Sequence, residues 1–406
     1  MTMSDMLFTR RKFLSTGTLA VSGTALSYAG LTSFIPKSKE VIRVGIIGTG
    51  TRGTGLARLI KNLPELTVTA YCDILSVNMA KIVGHVSAKA KKYNDYRKLL
   101  EDKEVDAVII ATPLYLHYIM AKDALAAGKH VYVEKSMTYD IPQALDLEKR
   151  VNNSNLVFQV GHQYRYFGLY HSVKQAINEG WLGEVTHFEC QYHRNSNWRF
   201  PVIEKGTERI VNWRMYKEYS GGLMAELCGH QIDIVNWMTD AYPESVVGMG
   251  GISYWKDGRE TYDHVRAIFD YPGGVKANVS SILSNAYHGY EIRILGSKAT
   301  LQIERDEAFI YAEATKKQTG VVDGVTGATL LNATQGKAMK LEFTHQDEEK
   351  RDPSSYALID FARCIRENKK PFADVKTGKY GAITVHMANV AMETGNMQRW
   401  EKKYGS

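Results

Sequence analysis

The chain has 406 residues, of which 44% are hydrophobic and 23% are charged, as in an ordinary globular protein with room for two domains. The net charge of +7 is unevenly placed, because residues 1–39 carry five Lys or Arg against one acidic residue and leave only +3 for the rest. So small an excess gives no reason to expect a nucleic-acid partner.

Residues 1–36 form a unit of their own, which we interpret as a twin-arginine export signal. Arg10-Arg11 precedes an apolar run, residues 13–35, that Ser, Thr and Gly dilute until it is weakly hydrophobic for a membrane span. Ser27-Tyr28-Ala29 fits a cleavage site. A basic amphipathic or anchoring N-terminus is the alternative. The prediction is a periplasmic protein, exported folded with its cofactor inside, and no stable membrane span in the mature chain.

The stretch after this segment predicts a nucleotide site. Residues 41–47 are apolar and β-branched, as in a strand buried on both faces of a parallel sheet. Gly48-x-Gly50-x-x-Gly53 follows, and residues 54–61 have the pattern of a helix. The three glycines allow a tight turn, close approach of a pyrophosphate and close packing of the helix on the strand. The helix N-terminus then offers free N–H groups to phosphates.

A second apolar strand, residues 66–71, ends near Asp73, where an acid is expected to bind a ribose hydroxyl. Asp73 would repel a 2′-phosphate, and the next residues contain no arginine to receive one, so we expect NAD rather than NADP. Thr51 and Arg52, inside the glycine motif, complete this part of the predicted cofactor site. A glycine-rich turn in another α/β protein is the alternative.

Strands and helices alternate up to residue 161, which predicts a Rossmann domain over residues 37–161. Residues 162–406 differ, and their pattern predicts a large, mostly antiparallel open sheet of six spaced strands, over 184–193, 245–254, 262–270, 276–282, 290–295 and 299–304. We expect helices over residues 169–180 and 221–239 to cover one face, and closing helices over 354–368 and 376–394 to pack back across the domain junction. The polar segment 315–350 predicts hairpins or a loop. The four scattered cysteines are interpreted as packing residues.

Several motifs resemble the glucose–fructose oxidoreductase/inositol dehydrogenase (Gfo/Idh/MocA) family over residues 40–400. Besides the glycine motif, these are Ala111-Thr112-Pro113 with His117, the run from residue 127 to Glu134-Lys135, Gly183-Glu-Val, Gly221-Gly222 and Gly229-His230-x-x-Asp233. The resemblance implies an NAD-dependent oxidoreductase of two domains. It also implies that Thr112, Pro113, His117, Glu134 and Lys135 contact the cofactor.

Lys135 ends a predicted parallel strand, at the sheet edge where α/β folds bind ligands. A lysine there can donate to a substrate hydroxyl or to the carbonyl that it becomes. A surface lysine ending a strand is the alternative. The family motif is Glu-Lys-Pro with a catalytic lysine, whereas here Ser136 takes the place of the proline, so the turn that presents Lys135 is expected to differ.

Glu226, His230 and Asp233 have the spacing i, i+4, i+7, which predicts one polar face on an otherwise apolar helix. A histidine there is suited to remove an alcohol proton. In the family this histidine is the general base, paired with an aspartate four residues earlier, where this chain has Glu226. A histidine capped by its own helix is the alternative. The same donors could bind a metal, but no other cluster matches and hydride transfer needs none, so no metal is predicted.

Aromatic and amide residues crowd the expected cleft, which favours a carbohydrate or polyol, since sugars stack on rings and bind amides and guanidinium groups. Ordinary packing is the alternative for any one of them. The predicted substrate residues are Tyr164, Arg165, Trp198, Trp213 and Arg214.

The sequence therefore predicts an exported NAD-dependent sugar, glycoside or polyol dehydrogenase. His230 would be the base, Lys135 would polarise the oxygen, and Glu226 and Asp233 would orient them; the resemblance implies the ring C3 as the oxidised carbon. One alternative is a glycosidase that oxidises transiently, eliminates and re-reduces. Another is a non-catalytic NAD-binding protein. A dimer or tetramer formed through the C-terminal sheet is expected.

Overall fold

The computed structural model describes residues 41–313, 319–322, 325–329, 338–344 and 350–405. The predicted export signal lies outside these residues, and so does much of the polar segment 315–350. Within the described part, none of the helices combines the length and the apolarity that a membrane crossing requires.

The first half is a six-stranded parallel sheet flanked by helices. Its strands are β1 (Ile42–Ile47), β2 (Leu66–Cys72), β3 (Lys91–Tyr93), β4 (Ala107–Ile110), β5 (His130–Val133) and β6 (Phe158–Val160). Its helices are α1 (Thr51–Ile60), α2 (Ser76–Ile82), α3 (Tyr96–Leu100), α4 (His117–Ala126) and α5 (Ile141–Asn152). The strand order β3-β2-β1-β4-β5-β6 is that of a dinucleotide-binding sheet. The chain connections that follow β1 and β4 run in opposite directions along the sheet, and ligands bind at this switch point.

The second half is a sheet of nine strands. These are β7 (Val185–Asn195), β8 (Ser245–Gly251), β9 (His264–Asp270), β10 (Lys276–Ile282), β11 (Ser284–Gly296), β12 (Ala299–Glu304), β13 (Glu307–Ala312), β16 (Met339–Lys340) and β17 (Gln398–Arg399). The order is β16-β13-β12-β11-β7-β10-β9-β8-β17, and only the central β7–β10 pair is parallel. A Rossmann domain followed by a mostly antiparallel open sheet, as the sequence predicts, is confirmed.

The remaining elements cover the second sheet or link the two halves. They are α6 (Gly168–Asn178), α7 (Glu208–Val211), a π-helical turn (Met224–Cys228), α8 (Gly229–Thr239), the hairpin β14 (Thr319–Val322) and β15 (Val325–Thr329), α9 (Pro353–Glu367) and α10 (Val375–Thr394). Residues 222–239 are helical, close to the predicted range 221–239, and the π turn widens the backbone before α8 begins.

The last two helices return to the first sheet. The backbone N–H of Val160, in β6, donates to the carbonyl of Ala373 just before α10, at 2.8 Å. The Gln159 side chain donates to the carbonyl of Ala357 in α9, at 2.8 Å. The edge of the nucleotide sheet is therefore completed by residues from the end of the chain.

Candidate active site

The glycine turn between β1 and α1 is shaped by what each Cβ would meet. Gly48 has φ +91°, and a Cβ there would lie 2.7 Å from the carbonyl oxygen of Ala111. A Cβ on Gly53 would lie 1.9 Å from the Gly48 carbonyl oxygen, so only glycine lets α1 pack on the turn. A Cβ on Gly50 would meet nothing nearer than Asn78 Nδ2, at 3.9 Å. The bare backbone at Gly50 thus faces open space, which fits a pyrophosphate beside the start of α1.

Asp73 lies just after β2, beside this turn. Its carboxylate accepts hydrogen bonds from the backbone N–H of Thr49, at 2.8 Å, and of Leu75, at 2.9 Å. These bonds hold the acid at the carboxyl edge of the sheet, next to the glycine turn. That is the place from which a carboxylate can bind ribose hydroxyls, as the sequence predicts.

Two predicted cofactor residues pair with each other. Arg52 Nε donates to Glu134 Oε1 at 2.7 Å, and Arg52 Nη1 donates to Ser354 Oγ at 3.2 Å. Only 9% of the Glu134 side chain is exposed. This ion pair ties the start of α1 to the end of β5 and to the N-terminus of α9, a link that no local sequence pattern indicates.

His117 differs from its predicted role as a cofactor contact. Its Nδ1 lies 2.8 Å from the carbonyl oxygen of Ser136, and its Nε2 lies 3.0 Å from that of Thr112. Burial of the ring lowers the pKa of His117. A neutral imidazole has one N–H, so it bonds one carbonyl and contacts the other. With both nitrogens facing the backbone, His117 fixes the loops after β4 and β5 and leaves no nitrogen for a ligand.

The other two predicted residues in these loops are Thr112, whose buried hydroxyl has no hydrogen-bond partner among the described residues, and Pro113, which begins a short 3₁₀ turn. Thr51 is the exposed first residue of α1. Of these three residues, Thr51 is the one that is exposed.

Lys135 crosses from the first sheet to the helix of the second half. Its Nζ donates to the carbonyl oxygens of Glu226, at 2.7 Å, and Ala225, at 3.2 Å, both in the π turn. Burial lowers the pKa of Lys135, and the nearby carboxylates of Glu226 and Glu134 oppose this effect. The Lys135–Ser136 peptide bond is cis.

Glu226 lies inside the π turn, whereas His230 and Asp233 lie in α8. The Glu226 carboxylate accepts from Arg214 Nε at 2.8 Å. Asp233 is buried and accepts from Arg165 Nε at 2.9 Å on both oxygens. Each carboxylate is therefore bound by an arginine instead of by the histidine.

Arg165 was predicted to bind substrate, but its Nε is committed to Asp233 and its residue is 8% exposed. The Arg165 guanidinium also lies over the ring of Trp237, with 5.4 Å from Cζ to the centroid. Burial of this kind makes it a structural cation. His162, which the sequence analysis did not select, joins the same cluster, with Nδ1 3.6 Å from Asp233 Oδ2.

His230 is the second residue of α8. Its ring lies against that of Tyr164, with 5.2 Å between centroids, and its buried Nδ1 has no hydrogen-bond partner among the described residues. Burial, and then the neighbouring charges of Lys135 and His162, hold the pKa of His230 well below its usual value. The imidazole is thus neutral near pH 7 and can accept a proton.

The predicted sugar-binding residues divide into two groups. Tyr164 lies beside His230. Arg214 stacks on Trp213, with Cζ 4.2 Å from a ring centroid, and lies 5.9 Å from the ring of Trp198. Because Arg214 also binds Glu226, this aromatic group adjoins the π turn that holds Lys135.

His162 and the partners Arg52–Glu134 and Arg214–Glu226 are the features that the sequence analysis missed. His162 directly follows Gly161 at the carboxyl end of β6, the edge that also carries Lys135. Its position after a buried strand was therefore a usable signal. The two ion pairs carry no comparable signal, because each joins separate elements.

Two family models match the chain and together cover more than half of it. Residues 42–162 match the oxidoreductase family NAD-binding Rossmann fold (GFO_IDH_MocA), and residues 170–302 match the GFO/IDH/MocA C-terminal domain.

Curated relatives of this family are enzymes of several kinds. An inositol 2-dehydrogenase/D-chiro-inositol 3-dehydrogenase of Lactiplantibacillus plantarum is 26% identical over 86% of this chain and 90% of its own. Glycosyl hydrolase family 109 protein 2 of a Shewanella species is 30% identical over 53% of this chain and 52% of its own. The chain spans about half the length of several curated relatives that it matches.

Solved structures show the same fold. A levoglucosan dehydrogenase in complex with NADH and levoglucosan superposes with a TM-score of 0.70, at 17% identity, over 89% of this chain and 99% of its own. The chain belongs to the Gfo/Idh/MocA oxidoreductase family and carries the NAD-binding Rossmann fold of that family.

Proposed function

We propose that this protein is an NAD-dependent dehydrogenase acting on a hydroxyl carbon of a sugar, glycoside or polyol. The observation that carries the proposal is the contact of Lys135 Nζ with the carbonyl oxygen of Glu226, at 2.7 Å. It brings a lysine from the nucleotide sheet against the turn that leads into His230. An acid and a base for an alcohol are then held on the two sides of the domain junction.

Lys135 and His230 have different roles in this proposal. An ammonium group has three N–H donors, and two of those on Lys135 are directed at Ala225 and Glu226. The third remains for the oxygen of the substrate. His230, neutral because its pKa is low, accepts the hydroxyl proton at a ring nitrogen. NAD, when bound, supplies the acceptor for the hydride that leaves the alcohol carbon.

Glu226 and Asp233 act on this site through other residues. Glu226 holds Arg214, which in turn stacks on Trp213. Asp233 holds Arg165 beneath the helix that carries His230. We therefore assign both acids to positioning and assign proton transfer to His230. Trp198, Trp213 and Tyr164 supply ring faces for a sugar, and ring C3 is the proposed site of oxidation.

The experiment is a screen of myo-inositol, levoglucosan and simple glycosides with the purified protein, monitored by the absorbance of NADH. His230→Ala should abolish the signal. His187→Ala, at an exposed histidine of β7, is the matched control and should keep it. If no compound reduces bound or added NAD, the dehydrogenase proposal is wrong.

A second candidate, a glycosidase that oxidises and re-reduces its substrate, is favoured by the similarity to a protein named for glycosyl hydrolase family 109. Release of free aglycone without net NADH formation would support it over the dehydrogenase.

We also propose that the protein is exported to the periplasm by the twin-arginine route and retains its dinucleotide there as a prosthetic group. The Arg10-Arg11 motif ahead of a complete nucleotide motif supports this. Fractionation of cells that express the wild type and an Arg10→Lys/Arg11→Lys variant tests the route. Denaturing the purified protein and measuring released nucleotide per chain tests retention; an empty protein that needs added NAD for each turnover would contradict it.

Assembly into a dimer or tetramer through the nine-stranded sheet is part of the same proposal. Val247 and Ile268, paired side by side on β8 and β9, are 39% and 46% exposed, and Met249 is 82% exposed. Aliphatic side chains gathered on one sheet face favour burial against a second copy. Light scattering of the wild type and of Met249→Glu measures the assembly.

A further inference from the structure

A loop of the second half reaches across to the adenosine side of the nucleotide site. Ser76 follows Asp73 by three residues, and its Oγ donates to Glu204 Oε1 at 2.8 Å. Glu204 belongs to residues 200–207, which lie between β7 and α7 and which we call the strap. This exposed hydrogen bond links the strap to the residues just beyond the predicted ribose contact.

The strap is firmly fixed at its base. Asn212 accepts from the backbone N–H of Phe200 at 2.7 Å and donates to the carbonyl of the same residue at 3.2 Å. Arg199 donates to Glu208 at 2.6 Å and to the Asp257 carboxylate at 3.0 Å. These bonds close the two ends of the strap together, so its tip projects from a rigid origin.

Within the strap, the backbone carbonyl of Glu204 accepts two hydrogen bonds from Thr207. The backbone N–H and the hydroxyl of Thr207 both donate to the Glu204 carbonyl, at 3.2 and 2.6 Å. The backbone of Glu204 is therefore held by Thr207, and its carboxylate is held by Ser76.

Aliphatic residues close in the chain to each partner of this hydrogen bond are exposed. Ile74, directly after Asp73, is 67% exposed, and Ile203, directly before Glu204, is 73% exposed. Val202 beside it is 39% exposed. Ile74 is two residues from Ser76 and Ile203 is one residue from Glu204, and these two partners are 2.8 Å apart. Because consecutive Cα atoms are 3.8 Å apart, both isoleucines lie near this contact. Large apolar groups that face solvent near one polar contact between two segments are typical of a binding site for a flat apolar ligand.

We propose that the strap closes over the adenosine half of NAD, with the adenine ring between Ile74 and the Val202-Ile203 pair and with Ser76–Glu204 as the latch. The inference rests on the NAD-binding Rossmann fold and not on the identity of the substrate. Adenine lies beyond the ribose that Asp73 binds, and its two faces are apolar while its edges are polar. The strap thus supplies the extra coverage that a retained cofactor requires.

The strap also joins the two ends of the active site. Trp198 precedes it by two residues, and Trp213 and Arg214 follow the Asn212 anchor. The wall proposed for the sugar and the cover proposed for adenosine are consecutive parts of one segment.

The test compares ligands that share different halves of NADH. For Ile203→Ser and Ile74→Ser, the dissociation constants of NADH and of ADP-ribose should each rise about tenfold, the effect of exposing much of one aliphatic side chain. The dissociation constant of reduced nicotinamide mononucleotide, which lacks adenosine, should stay within about twofold of the wild-type value on the same argument. Ile210→Ser, at a 40% exposed isoleucine outside the strap, is the matched control and should change none of them.

The latch is tested separately by the rate of NADH dissociation. Glu204→Ala should accelerate release, and Glu204→Gln, which keeps an acceptor oxygen for Ser76, should restore the wild-type rate. Unchanged binding of NADH and ADP-ribose in the isoleucine variants would overturn the proposal, and so would an equal loss of mononucleotide binding. None of these measurements needs turnover, so a failed dehydrogenase assay would leave the result intact.

Discussion

The side-chain nitrogen of Lys135 lies 2.7 Å from the backbone carbonyl oxygen of Glu226, so a residue of the nucleotide sheet is bonded to the π turn that precedes His230. Two carbonyl oxygens stabilise the ammonium form, while enclosure favours the neutral form. Burial thus brings the pKa of Lys135 nearer to neutral than that of a surface lysine. The pH dependence of activity should reflect both effects.

Lys135→Met should lower kcat by roughly 10²- to 10⁴-fold, because the donor to the substrate oxygen is lost. The alkaline limb of the pH profile should disappear as well, since a lysine whose pKa is lowered loses its proton, and its function, as pH rises. Steady-state kinetics across pH measure both effects. Lys92→Met, at an exposed lysine of β3, serves as the control. An alkaline limb that persists in Lys135→Met would assign it to another group.

His230→Ala should reduce turnover roughly a hundred- to ten-thousand-fold and barely change NADH affinity. In the wild type, a base with a pKa well below 6.5 remains unprotonated down to that pH, so the acid limb of kcat/KM should begin below pH 6.5. The acid limb should vanish in the variant. Near wild-type activity of His230→Ala across the pH range would show that the base lies elsewhere.

Asp73→Asn should narrow the preference for NAD over NADP. The amide keeps one acceptor oxygen, for the N–H of either Thr49 or Leu75, and removes the charge that repels a 2′-phosphate. Dissociation constants for both nucleotides measure the change. Equal or tighter binding of NADP by the wild type would contradict the assignment of Asp73.

Gly53→Ala should abolish nucleotide binding and destabilise the domain, because the new Cβ would lie 1.9 Å from a carbonyl oxygen. Gly55→Ala, two residues along the same helix, is the matched control. Its Cβ would meet nothing within 4 Å, so the substitution should stabilise the protein by about 0.5–1 kcal/mol. Urea unfolding and NADH titration of both variants make the comparison; similar behaviour would contradict the close contact of turn and helix.

Asp233→Leu should cost about 3–5 kcal/mol in the free energy of unfolding, because Arg165 would be left buried without its partner. The double variant Arg165→Met/Asp233→Leu should recover much of that loss. Glu101→Ala, which breaks an exposed ion pair with Lys98, should leave stability nearly unchanged. A double variant as unstable as Asp233→Leu alone would contradict this account.

Local patterns were sufficient to predict much of the fold. The bounds of β10, Lys276–Ile282, and β12, Ala299–Glu304, agree with the sequence analysis, because alternating or continuous apolar residues are followed closely by turn signals. The strand Glu307–Ala312 was not predicted, since it is short and follows its neighbour through a two-residue turn. The glycine turn and Asp73 were predictable for a similar reason, because their spacing along the chain reflects one βαβ unit.

The pairing of charged side chains in the site was not predictable from the sequence. Arg165 and Asp233 are 68 residues apart, and Arg52 and Glu134 are 82 apart, so neither pairing follows from local spacing. The π turn that contains Glu226 has no counterpart in the apolar spacing along the helix. The boundary at residue 161, the signal at 1–36 and the roles of the site residues stay predictions.

The return of α9 and α10 to the first sheet has a consequence for synthesis. When residues 41–160 have left the ribosome, β6 still lacks the carbonyl of Ala373 and the Gln159 amide lacks that of Ala357. Arg52 likewise lacks Ser354. The contacts that residues 354–373 make with β6 and with the start of α1 therefore form only after that part of the chain has been synthesised.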